Sequence, residues 1–136
     1  MSYFHYTYGL GHVLSFQTSA RPFLTASLTV PASGSEPLEI SFYSVSRFVV
    51  ITNDLDASST PTPIRFGASV NGVKGLENNN YGLLKNGQSF EAEFKLITVY
   101  LMSDTANEAS ASVIAGLTGI DKKHLSQNWT GSSGVG

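Results

Sequence analysis

An all-β fold, an antiparallel two-sheet sandwich in jelly-roll or Greek-key order, follows from three features of this sequence. Apolar residues recur with period two, Gly and Pro clusters break the chain at short intervals, and no window carries the i, i+3, i+4, i+7 stripe of a helix. With 136 residues of which 41% are hydrophobic, the chain suffices for one domain with a real core.

The chain opens on Tyr3-Phe4-His5-Tyr6-Thr7-Tyr8, an aromatic segment that Gly9 and Gly11 hinge to the body of the domain. Residues 1–11 therefore read as an arm, 12–120 as the sandwich and 121–136 as a tail. His12 to Thr18 is a weak first strand. After Pro22, the segment Leu24 to Val30 places Leu24, Ala26, Leu28 and Val30 on one face and Thr25, Ser27 and Thr29 on the other. The breaker run Pro31 to Pro37 leads to a strand at Leu38–Phe42. The next strand, Ser46 to Asn53, holds Phe48-Val49-Val50-Ile51, apolar on both pleat faces and so in need of cover on both. Ser58 to Pro63 breaks the chain again before Ile64–Val70, and Asn71-Gly72 reads as a turn. Asn86-Gly87 predicts a hairpin between Tyr81–Lys85 and the long segment Gln88–Ser103, since both turn positions tolerate positive φ. Ala109–Leu117 completes roughly eight strands at the spacing of a sandwich. From Asp121 the pattern gives way to a Gly/Ser-rich tail that offers little apolar area to offset ordering entropy.

Ten acidic and eight basic residues, scattered singly, give a net charge of -2 and no basic stripe to neutralise a phosphate backbone, so sequence-specific nucleic-acid binding is not expected. The chain has no Cys, which removes disulfides and sulfur-ligated zinc and suits a reducing compartment. Its first residues lack the basic and apolar regions of a secretory signal, and no apolar run is long enough to span a membrane. The sequon Asn128-Trp129-Thr130 is accordingly read as fortuitous.

Site chemistry is sparse. His5, His12 and His124 lack ligands at short spacing, and Gly9-Leu10-Gly11 lacks the third glycine of a dinucleotide turn. Asn53-Asp54-Leu55-Asp56 could offer oxygens to calcium, but the same residues initiate turns by bonding their own backbone. Glu91 and Glu93 share a strand face with Lys95, and side chains two apart on a strand point the same way and cannot flank a substrate. No catalytic residue, metal or cofactor is expected, and the chain reads as a non-enzyme.

Surplus apolar surface is the more informative feature. In Gln88–Ser103 the even positions Phe90, Ala92, Phe94, Leu96, Tyr100 and Met102 form a core face, while the other face turns apolar at Ile97, Val99 and Leu101. That second face needs cover from a loop of the same chain or from another subunit, and oligomerisation is the expectation. Tyr3, Phe4 and Tyr6 of the arm, and Trp129 of the tail, join Ile97, Val99 and Leu101 as candidate subunit contacts; the arm could equally close its own sandwich.

In order and style, Arg47–Asn53, Ile64–Val73, the aromatic-alternating Phe90–Met102 and Ser112–Ile120 resemble the small single jelly-roll structural proteins of DNA viruses, of the capsid, vertex (penton) or capsid-decorating kind. The resemblance covers residues 45 to 120. It implies a homo-oligomer that meets other particle proteins in a virion, assembled in host cytoplasm or another reducing compartment, and it transfers no catalytic residue. Two other classes stay open. One is a carbohydrate-binding sandwich using exposed Tyr3, Tyr6, Tyr8, Tyr43, Tyr81 or Trp129 as stacking platforms; the other is a small barrel-type hydrolase or isomerase, which needs a pocket where a histidine meets a carboxylate.

Overall fold

The computed structural model describes residues 21–54, 62–76, 79–127, 129 and 136; the arm and the weak strand at His12–Thr18 lie outside them. The described residues form eight strands: β1 (Arg21–Val30), β2 (Leu38–Ser41), β3 (Ser44–Asn53), β4 (Ile64–Gly67), β5 (Gly82–Leu84), β6 (Ser89–Ala92), β7 (Thr98–Ser103) and β8 (Ala109–Asp121). A short helix, α1 (Val70–Lys74), follows β4, and a 3₁₀ turn, Lys122–His124, follows β8. The strands build two four-stranded sheets, β1-β8-β3-β6 and β2-β7-β4-β5, antiparallel throughout. β1 pairs with β8, β2 with β7, β3 with β6 and β4 with β5, the nested order of a hairpin folded over on itself into a jelly roll. The chain is thus the all-β sandwich that its period-two patterning predicts.

Inward-facing residues of both sheets fill the space between them. Val49, Ile51, Val113, Ala115 and Leu117 of the first sheet meet Ile40, Ile64, Leu84, Val99 and Leu101 of the second. At the corner between the β1 and β2 edges, Phe23 packs edge-on against Phe42 with ring centroids 4.9 Å apart. Buried polar groups are partnered: Asn53 Nδ2 donates to the carbonyls of Thr62 and Leu84, tying β3 across to the second sheet.

Four expectations about individual segments are corrected. Ile64–Val70 is not one strand, because Ser69 Oγ accepts from the Gly72 amide and caps α1, which places Asn71-Gly72 inside a helix. Asn86-Gly87 does form a turn, with Gly87 at φ 80°, but the strands it joins belong to different sheets and do not pair as a hairpin.

Gln88–Ser103, expected as one long strand, splits into β6 and β7, and residues 93–97 carry the chain from one sheet to the other. Ser46 fastens this crossover: its hydroxyl donates to the Phe94 carbonyl and accepts from the Leu96 amide, and its own amide donates to the Leu96 carbonyl. Facing is reversed across such a corner. In β6 the even residues Phe90 and Ala92 point inward; in β7 the odd residues Val99 and Leu101 do, and Met102 points outward.

The outer face of the second sheet is roofed by α1, which packs against β4 and β7 and leaves Met102 and Val73 buried. Arg65 fixes the roof in place. Its Nε meets Asp104 Oδ1 at 2.7 Å, its Nη1 donates to the carbonyls of Val73 and Lys74 at the helix end, and its guanidinium lies 4.6 Å above the Tyr81 ring. Glu36 bonds Lys74 from the β1–β2 loop.

Candidate functional site

The first sheet carries no such roof among the described residues. Along one cross-strand row of its outer face, Leu24 of β1 stands beside Ile114 of β8, which stands beside Val50 of β3. In the adjoining row Pro22, Gly116 and Phe48 follow one another in the same way. Leu24 is 68% exposed and Ile114 42%, while Val50 and Phe48 are half-buried. Residues directly opposite on neighbouring strands lie ~5 Å apart, so the five side chains form one apolar surface around the buried Gly116. It is bounded by charge at the β6 edge, where Glu91 stands opposite Val50 and Arg47 pairs with Glu93 at 3.2 Å.

Toward the other end of the sheet the same face turns polar. Asp54 accepts from the hydroxyls of Ser110 and Ser112, and Thr52 and Ser89 share a hydrogen bond at 2.9 Å. The carboxylate of Asp54 is therefore held by hydroxyls of its own sheet, and the Asn53 amide is spent inside the core. Among the described residues no group of three or more His, Asp or Glu side chains could hold a metal.

Leu24 reaches this face through a bulge. The register of β1 on β8 slips between Thr25 and Leu28, and Ser27 adopts φ 55°. Unbroken alternation would place Leu24 on the core side with Leu28 and Val30, but the two sides of the bulge are out of phase, so Leu24 points out while they point in. The bulge also interrupts an edge strand, which discourages another strand from pairing along it.

Of the expected contact residues, Val99 and Leu101 are corrected: at 2% and 0% exposure they belong to the core between the sheets. The crossover at 93–97 turns them inward, and the outward Met102 is covered by α1. Ile97 is half-buried beside the tail, where Gln127 Oε1 accepts from the amides of Ile97 and Thr98 and its Nε2 donates to the carbonyls of Thr98 and Ala68. One side chain thus ties residues expected to form a loose tail to the start of β7 and the end of β4. Trp129, next along the chain among the described residues, lies against Gly136, 37% exposed. Tyr3, Phe4 and Tyr6 lie outside the described residues. Of the aromatic residues considered for sugar stacking, Tyr43 is exposed after β2, whereas Tyr81 beside β5 is engaged by Arg65; β2 and β5 are opposite edges of the second sheet.

No family model matches this sequence, and neither a curated protein nor a solved structure matches it.

Proposed function

We propose that this chain is a structural protein of a virus particle, a capsid, vertex or decoration component, that assembles through the outer face of its first sheet. The observation that supports the reading is the pair of adjoining apolar rows, Leu24-Ile114-Val50 and Pro22-Gly116-Phe48, which no described residue roofs and which charge borders. A contiguous apolar surface rimmed by polar residues is what a protein interface presents. The nested eight-strand order is common to viral capsid domains, lectins and cupins, so the fold by itself does not choose among them. The resemblance of segments 45–120 to small viral jelly rolls, and the need of this face for a cover, favour a shell component. In this reading Tyr3, Phe4 and Tyr6, from the part of the sequence that precedes β1, extend the contact to a neighbouring copy.

The test is the oligomeric state. Light scattering after size exclusion should give a closed multimer for the full chain, seen as symmetric rings or shells by electron microscopy. Ile114→Glu should give a monomer with an unchanged circular dichroism spectrum, because a carboxylate cannot be buried unpaired in the contact. Deleting residues 2–8 should weaken the multimer while keeping the β signal. A full-length chain that stays monomeric at high concentration, or an Ile114→Glu variant as multimeric as its parent, would overturn the reading.

A further inference from the structure

The two sheets do not close on each other everywhere. Between the β6 edge of the first and the β5 edge of the second lies a cavity of about 670 Å³, open to solvent. Its origin is the shortness of these two edge strands, three residues in β5 and four in β6, which cannot cover the longer strands behind them. Val49, Ile51 and Val99 form its floor, and Phe66, Phe90 and Phe94 form a wall of rings with successive centroids 4.6 and 5.7 Å apart.

The wall depends on a glycine. Phe66 stands opposite Gly82 on β5, and a Cβ at Gly82 would come within 2.1 Å of the Phe66 ring, so the far end of the ring takes the space that a side chain there would need. Phe94, at 46% exposure, and Trp129 stand at the mouth, with Asn79 and Asn80 beside them.

We infer that this cavity is a binding site for a small uncharged molecule built on an aromatic or fused-ring body. Its size falls in the range of ligand pockets, which are mostly apolar with a few orienting polar groups. Aromatic rings on the wall and at the mouth reward a planar guest with edge and face contacts beyond the area buried. The preference for a neutral guest follows from the lining: among the described residues that form it none carries an acidic or basic side chain. A charged group carried inside would lose hydration without gaining a counter-ion. A neutral donor or acceptor on the guest can be met by the amide of Asn79, which lines the cavity.

The test uses two probes of the same shape and opposite character. N-phenyl-1-naphthylamine is neutral, and 1-anilinonaphthalene-8-sulfonate is the same body with an anionic sulfonate. Trp129, the only tryptophan of the chain, reports occupancy through energy transfer to either probe. The neutral probe should bind saturably at one site per chain and at least about tenfold more tightly than the sulfonate. Phe94→Ala, whose half-exposed side chain makes it tolerable to the fold, should weaken binding by about tenfold. Ala68→Leu narrows the cavity from the second sheet and should weaken it also. Leu24→Ala, on the outer face of the first sheet, should leave it unchanged. Equal affinity for both probes, binding indifferent to Phe94→Ala and Ala68→Leu in chains with native near-ultraviolet circular dichroism, or binding lost in Leu24→Ala would each overturn the site.

Discussion

Each sheet of this sandwich turns apolar residues away from the shared core, and the two treat them oppositely. On the second sheet Met102 lies under α1, and Arg65 ties the helix end down to Asp104 and Tyr81. On the first, Leu24 and Ile114 face outward with nothing from the described residues above them. A five-residue helix has little stability of its own and persists only because it covers something. The roof is thus evidence that an apolar outer face is costly enough for this chain to cover one. That the described residues cover one outer face and not the other is what the proposed contact with a second copy would answer.

Matched truncations on the two faces would break the comparison most sharply. Met102→Ala removes a fully buried side chain between sheet and roof and should cost about 2 to 5 kcal/mol in urea unfolding. Ile114→Ala on the bare face should cost the isolated chain about 0.5 kcal/mol or less, with its larger effect on self-association. Equal losses in the dissociated chain would mean that the first sheet is covered from within after all.

The same contrast separates what the sequence discloses from what it conceals. Period two places Leu28 and Val30, and Phe90, correctly on inward faces, because within an uninterrupted strand the alternation has one phase. Leu24 and the pair Val99 and Leu101 are misplaced because the phase changes: once at the bulge around Ser27, once at the crossover of residues 93–97. The second change is enforced by Ser46, a residue about fifty positions away from the segment it bonds, and local patterning cannot register such a partner. The helix is too short to show a 3.6-residue period, although Ser69 as its cap and Gly75 just past its end are both legible boundary signals. Phe48-Val49-Val50-Ile51 reads correctly as apolar on both faces, and its outward half belongs to the bare surface. The cavity could not be anticipated, since it follows from the lengths of β5 and β6 and from Phe66 lying over Gly82.

A smaller effect is expected where the tail meets the roofed sheet. Gln127→Ala leaves the amides of Ile97 and Thr98 without the acceptor they share and should cost about 1 to 3 kcal/mol. Trp129 follows Gln127 by two residues, so its emission should move to longer wavelength in this variant as the indole leaves the cavity mouth. An unchanged stability and spectrum would return residues 121–136 to the role of a removable tail and would detach Trp129 from the second sheet.

The smallest effect lies at the margin of the roof. Tyr100 on β7 stands directly opposite Glu39 on β2, both on the outer face of the second sheet. Burial first, and the Glu39 carboxylate second, hold its phenol above the ordinary value of 10.0. A phenol that ionises later in the folded chain than in the unfolded one contributes stability that is complete below the unfolded value and is lost as pH rises through the folded one. Stability should therefore start to fall as pH passes 10.0 and go on falling until Tyr100 itself has ionised. Glu39→Gln removes the lesser cause, so the tyrosinate absorbance of Tyr100, isolated from the other five of six tyrosines by difference against Tyr100→Phe, should move down in pH without reaching the ordinary value. A complete return in Glu39→Gln would make the carboxylate the whole cause. The margin of the roofed face would then be as open to water as the bare face of the first sheet.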